Sequence, residues 1–239
     1  MKEVGFTTGS LYRSSFTCEE IIKLYSSLGA DAIELSFLAP KELMQFNPSP
    51  ETKKIIQGFK HVSIHAPCKG ITYNQSDSSE VIKKLSELCA ELSIEGIVLH
   101  PDTVENFYML DKLNLPFLIE NMDKRKKYGT HPEQIRELKE KYNFGFVFDV
   151  QHAYEHDPKM NLARELIDVM GNRLKHMHVS GENESESHAP THFSNNRKEI
   201  GEILKLGIQV PKILEGILSE DLKETIQNEL CYVRSFESV

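Results

Sequence analysis

The chain has 239 residues, 39% of them apolar and 27% charged, a balance that supports a buried core and a solvated surface and excludes a disordered or fibrous chain. Its net charge of −8 argues against gripping nucleic acid over the whole surface, so an anionic substrate has to be met by a local basic patch. No run approaches the ~20 apolar residues of a membrane span, MKEVGFTTGS lacks a signal core, and Cys18, Cys68, Cys89 and Cys231 form no CxxC pair, so free thiols in a reducing cytoplasm are expected, with no membrane partner.

From the N-terminus, EVGFTT reads as a first strand and EEIIKLYSSLG as a helix, with apolar residues every three or four positions. AIELSF then precedes PETKKIIQGFK, and HVSIHA precedes SEVIKKLSELCAELS. GIVLH is the fourth strand. PFLIE leads to HPEQIRELKEKYN, and FGFVFD to MNLARELIDVMGN. LKHMHVS and KILEG supply strands seven and eight. Thr17 with Glu20, and Thr130 with Glu133 and Pro132, have the spacing of capping boxes at helix starts. Eight strands alternating with helices predict a parallel sheet closed as one (β/α)8 barrel domain over residues 1–239, with an open doubly wound sheet as the alternative.

The potential ligands fall at the ends of these strands. His65, His100, Glu120, Asp149, His178 and Glu215 close candidate strands three to eight, one per strand, separated by roughly 20 to 37 residues. No helix face gathers residues so far apart, whereas a barrel delivers all its strand ends to one face. His152, Glu186 and His188 lie just beyond strands six and seven. Five imidazoles and four carboxylates suit zinc, manganese, iron or cobalt better than calcium or magnesium, and nine donors exceed what one ion takes. Two or three divalent ions with bridging carboxylates are expected. Taken singly, a strand-end His is more often a hydrogen-bonded core residue and an Asp before a helix more often a cap. Six coincidences at one face outweigh that reading. His61, His131, His156, His176 and His192 read as structural, with His176 on the same face as His178 but one layer deeper.

The pattern resembles the xylose isomerase-like barrel superfamily and, within it, the endonuclease IV group (AP endonuclease family 2). The resemblance rests on SIHAP with His65, LHPD with His100, Glu120-Asn121, Asp149-x-x-His152, Met177-His178, Glu186-x-His188 and Glu215. It implies that His65, His100 and Glu120 bind a first metal, that Glu120 bridges to a second held by Asp149, His178 and Glu215, and that His152, Glu186 and His188 bind a third. Glu186 stands where the family has Asp, and the loop ESHAPTHFSNN lacks the family's Gly-rich continuation.

Clustered divalent ions activate water and clamp phosphate oxygens, so the expected activity is phosphoester hydrolysis, with abasic-site DNA among the substrates. Glu120 and Glu215 are the catalytic candidates, Glu215 as base. Arg13, Lys69 and the run Lys124, Arg125, Lys126 and Lys127 are candidate phosphate contacts, although four like charges are usually a solvated surface. The alternative is a one-metal sugar isomerase or epimerase using Glu120, Asp149, His178 and Glu215, with Glu34 on a sugar hydroxyl. His65 and His100 favour hydrolysis, because one-metal chemistry does not require them. A third reading is a metal-dependent binding protein without turnover.

Overall fold

All eight expected strands form: β1 (Val4–Thr7), β2 (Ala32–Ser36), β3 (His61–His65), β4 (Gly96–Leu99), β5 (Phe117–Glu120), β6 (Gly145–Asp149), β7 (Leu174–Val179) and β8 (Lys212–Leu214). They are parallel, pair in chain order, and close through β1 and β8 into a (β/α)8 barrel. The computed structural model describes residues 2–74, 76, 78–218 and 222–236. Around the barrel lie α1 (Cys18–Ser27), α2 (Pro40–Gln45), α3 (Pro50–Ile56), α4 (Ser79–Leu92), α5 (Phe107–Asp111), α6 (Pro132–Lys141), α7 (Val150–His156), α8 (Asn161–Met170), α9 (Arg197–Leu204) and α10 (Leu222–Ser235). No helix among the described residues is long and apolar enough to cross a membrane.

The Thr17 capping box forms, with the Thr17 N–H donating to Glu20 and the Glu20 N–H to Thr17 Oγ1. At α6 the expectation shifts by one residue. Pro132 takes the first helical position and leaves His131 as the cap, so Gln134 rather than Glu133 reaches back, accepting from the Thr130 and His131 N–H groups.

Residues paired in register on parallel strands share a face. Thr7, Glu34, Ser63 and Gly96 are linked in this way, as are Val98, Leu118 and Gly145, then Glu120, Val147 and His176, then Asp149, His178 and Ile213. This is the inner face. The alternate residues, among them Phe6, Ile33, Leu35, Ile64, Phe146 and Val179, join the large core shared with the helices, while inside the barrel Val98, Leu118 and Val147 form a separate small cluster. A bulge in β7 opposite Phe146 and Val147 sets the register there. It places Leu174 beside outward Phe146, yet His176 and His178 beside inward Val147 and Asp149. Without it, a one-residue slip would turn both imidazoles out of the barrel.

Below the site, the Leu118 methyls occupy space that Gly96 and Gly145 leave by having no side chain. A Cβ on Gly96 would lie 2.4 Å from Leu118 Cδ1, and one on Gly145 2.5 Å from Cδ2. Overpacking of this kind costs about 1–3 kcal/mol. Gly96→Ala is therefore expected to lower the thermal midpoint by several degrees, and Gly96→Ala combined with Leu118→Val to recover part of the loss; a scanning-calorimetry midpoint unchanged by Gly96→Ala would contradict this packing.

Candidate metal centre

At the C-terminal end of the barrel, His65 donates Nδ1–H to the carbonyl of Ala66 (3.1 Å), which leaves Nε2 facing inward. His65 Nε2 lies 3.1 Å from His100 Nε2. Both face Glu120 Oε2, at 3.5 and 3.2 Å. Donors bound at ~2.0–2.2 Å in a tetrahedral array stand about 3.3–3.6 Å apart, so these three atoms are spaced as ligands of one ion. The other oxygen of Glu120, Oε1, is 2.9 Å from His178 Nδ1, which is 3.3 Å from Glu215 Oε1. With Asp149, these residues form a second group whose donor atoms all lie within 4.8 Å of one another. Glu120 belongs to both groups.

Asp149 caps α7. Its Oδ1 accepts the His152 N–H at 2.7 Å, which explains the three-residue spacing of Asp149 and His152: cap and third helical residue. Asn121 fixes the same strand end, accepting the Asp149 N–H at 2.7 Å and donating to the Asp149 carbonyl at 2.9 Å. Asp149 Oδ2 and Glu120 Oε2 are buried without a hydrogen-bond partner, an arrangement that is costly unless a cation faces them. The donor set thus suits divalent ions in both groups.

The electrostatics follow from burial among alternating charges. Burial opposes charge on His65, but the close approach of the Glu120 carboxylate at 3.5 Å, with the fields of Glu34 and Glu215, outweighs it and pushes the imidazole up to about 9. Burial also opposes charge on Glu120, yet His178, His100 and His65 hold it well below the usual carboxylate range. Burial pushes the Glu215 carboxyl up to about 8; His178 works against this, while Asp149, Glu120 and Glu34 add to it.

The third expected group is only partly assembled. His152 donates Nδ1–H to the Asn121 carbonyl at 2.8 Å, and its ring meets His188 edge-on with centroids 5.4 Å apart. His188 Nδ1 is 2.9 Å from Ser180 Oγ. Glu186 does not join them. Its carboxylate forms a two-pronged ion pair with Arg13, so neither residue is placed as expected, Glu186 at the metals or Arg13 at a phosphate. Of the basic run, Arg125 and Lys126 line the site cavity of about 610 Å³, as does Lys69, whereas Lys124 and Lys127 do not. Arg125 is held by Asp123 and Lys126 by Asp102. Glu34 is fully buried beneath the site, out of reach of a sugar in the cavity.

The model of the xylose isomerase-like TIM barrel matches residues 22–229. The chain belongs to this family. No curated protein sequence matches it, but solved structures do. Endonuclease IV from Thermus thermophilus is 16% identical with a TM-score of 0.70 over 98% of both chains. D-Psicose 3-epimerase from Clostridium cellulolyticum, determined with D-tagatose, is 14% identical with a TM-score of 0.67, covering 99% of this chain and 100% of that one. The probable 3-DHS dehydratase AsbF from Bacillus anthracis is 15% identical with a TM-score of 0.69, covering 98% and 99%. At these identities the likeness shows the xylose isomerase-like fold, which hosts several chemistries, and the reaction has to be argued from the site.

Metal binding is expected to stabilise the fold and to release protons. An ion present at 100 times its Kd contributes roughly 2.7 kcal/mol, or about 5–10 °C in thermal midpoint for a chain of this size. Because the proton on His65 is held up to about 9, the ion has to displace it, and apparent zinc affinity rises as pH goes from 6 to 9. Calorimetric titrations at several pH values check this; a pH-independent affinity, or a midpoint insensitive to zinc and chelator, would contradict the assignment.

Proposed function

We propose that this protein is a metal-dependent phosphoester hydrolase of the endonuclease IV type, working with two divalent ions on either side of Glu120. The observation that carries the reading is the division of Glu120 between two groups, Oε2 toward His65 and His100 and Oε1 toward His178. Bound ions would supply Lewis-acid activation of water and stabilise charge on phosphate oxygens. Glu215 lines the cavity and belongs to the second group, where its carboxylate would hold the ion and stand beside the water activated there, the place of a proton acceptor. Lys69, Arg125 and Lys126 put positive charge on the same wall. Asp123 and Asp102 anchor the latter two, which leaves the Lys69 amine as a wall cation without an ion-pair partner among the described residues.

The cavity adjoins a larger groove of about 1040 Å³, and both are lined by Tyr12, Phe37, Leu38 and Lys69. Its walls are largely apolar, with Phe16 and Phe46 alongside. A substrate reaching from the metals into this groove is larger than a single phosphate, and abasic-site DNA is the extended phosphodiester we propose to test there.

A second reading has an observation of its own. Glu120, Asp149, His178 and Glu215 make a complete group without the two outer histidines, as a one-ion ketose isomerase or epimerase would use. The readings separate on His100. Zinc- and manganese-loaded protein is incubated with abasic-site duplex, a simple phosphodiester and a panel of ketoses, alongside His100→Ala. Hydrolysis predicts phosphoester cleavage that His100→Ala lowers by at least about 100-fold in kcat/KM. Ketose turnover that survives His100→Ala, with no phosphoester cleaved, would replace this reading with the epimerase.

A further inference from the structure

Barrel interiors of this architecture are usually filled by layers of branched apolar side chains. Here the layer under the metal centre is polar. Glu34 on β2 and His176 and His178 on β7 are all fully buried, as is Ser63 on β3. Ser63 Oγ donates to Glu34 Oε2 at 2.8 Å. His176 Nε2 lies 3.3 Å from the same oxygen. His178 Nε2 lies 3.3 Å from Oε2 and 3.2 Å from Oε1. A sealed carboxylate persists in a barrel only when donors surround it, and this one is met from two other strands.

A neutral imidazole carries one ring proton, and the partner of one nitrogen decides whether the other is free to ligate. For His178 the two nitrogens face opposite environments: Nε2 points down to Glu34, and Nδ1 points up to Glu120 Oε1 at 2.9 Å and Glu215 Oε1 at 3.3 Å. The ring lies between His65 at 6.1 Å and His176 at 5.2 Å, and turning it over about Cβ–Cγ would put carbon where each nitrogen now stands rather than exchange the two.

We propose that Glu34, held by Ser63 and His176, is a positioning residue for the metal centre: it accepts the Nε2 proton of His178 and so presents a bare Nδ1 to the ion shared with Glu120, Asp149 and Glu215. His176 donates its own Nε2–H to the same carboxylate, so the two facing nitrogens, 3.3 Å apart, both point at Glu34 and need no bond to each other. The negative charge behind the ring also makes Nδ1 a stronger donor. The inference rests on the reading of His178 as a metal ligand.

Cobalt(II) titration of the chelator-treated protein, followed by visible absorption, tests it. Glu34→Gln keeps the size of the side chain and an acceptor oxygen but removes the charge. It is expected to weaken the cobalt equivalent held through His178 about 10- to 100-fold and to alter its visible spectrum, with unchanged far-ultraviolet circular dichroism. A purely structural Glu34 would change the thermal midpoint and leave affinity and spectrum alone, and that result overturns the inference. Wild-type protein that binds no cobalt overturns the metal reading and this inference together. Should Glu34→Gln not fold, 15N NMR of zinc-loaded wild type reads the His178 tautomer directly: a proton on Nε2 supports the inference, and zinc on Nε2 overturns it.

Discussion

Glu120 ends β5 only 1% exposed, with its two oxygens committed to different sets of imidazoles. Its Oε2 faces His65 and His100, and its Oε1 faces His178. An ionised carboxylate in such a place is tolerated only when positive charge surrounds it. The surrounding residues come from β3, β4 and β7, so the demand of one side chain ties together strands from opposite parts of the barrel. Everything proposed for the site follows from whether that demand is met by protons on imidazoles or by divalent ions.

The barrel supplies the convergence through strand parity. Every second residue of a parallel strand faces inward, and the β7 bulge keeps His176 and His178 in phase with Val147 and Asp149. The site also feeds back on the fold. Asp149 caps α7 through one oxygen, leaves the other buried without a hydrogen-bond partner, and belongs to the group with Glu120, His178 and Glu215, while Asn121 pins the same strand end through two backbone hydrogen bonds. A change at Asp149 therefore alters a helix start and a donor at once, which makes it a poor residue for separating stability from chemistry. His100 sits just past β4, where its backbone but not its side chain caps the next turn, and it separates them better.

The barrel and its strand-end donors are legible in the sequence because both depend on simple periods. Apolar runs of strand length mark the strands, and polar residues closing those runs mark the donors from His65 to Glu215. What escapes depends on pairs distant in sequence. Nothing local to Arg13 or Glu186 announces that loops 173 residues apart meet in an ion pair. Asp102 and Asp123, which hold Lys126 and Arg125, are the signal that the basic run is partly neutralised. The seven residues of α7 lack an amphipathic stripe because Val150, Gln151, His152 and Ala153 are all buried. Glu34 reads as a strand-end cavity residue from sequence, but it lies in the middle of β2, and the register with Ser63 and the reach of His176 and His178 place it in the sealed layer below.

The central claim is that Glu120 lies between two ions rather than beside one. Crystals of the zinc-loaded protein, measured with anomalous scattering at the zinc edge, address it without reference to any substrate. The account predicts two peaks about 3.5–4 Å apart, one among His65, His100 and Glu120 and one among Glu120, Asp149, His178 and Glu215. A single peak in the second position, with His65 and His100 left unligated at saturating zinc, would contradict it.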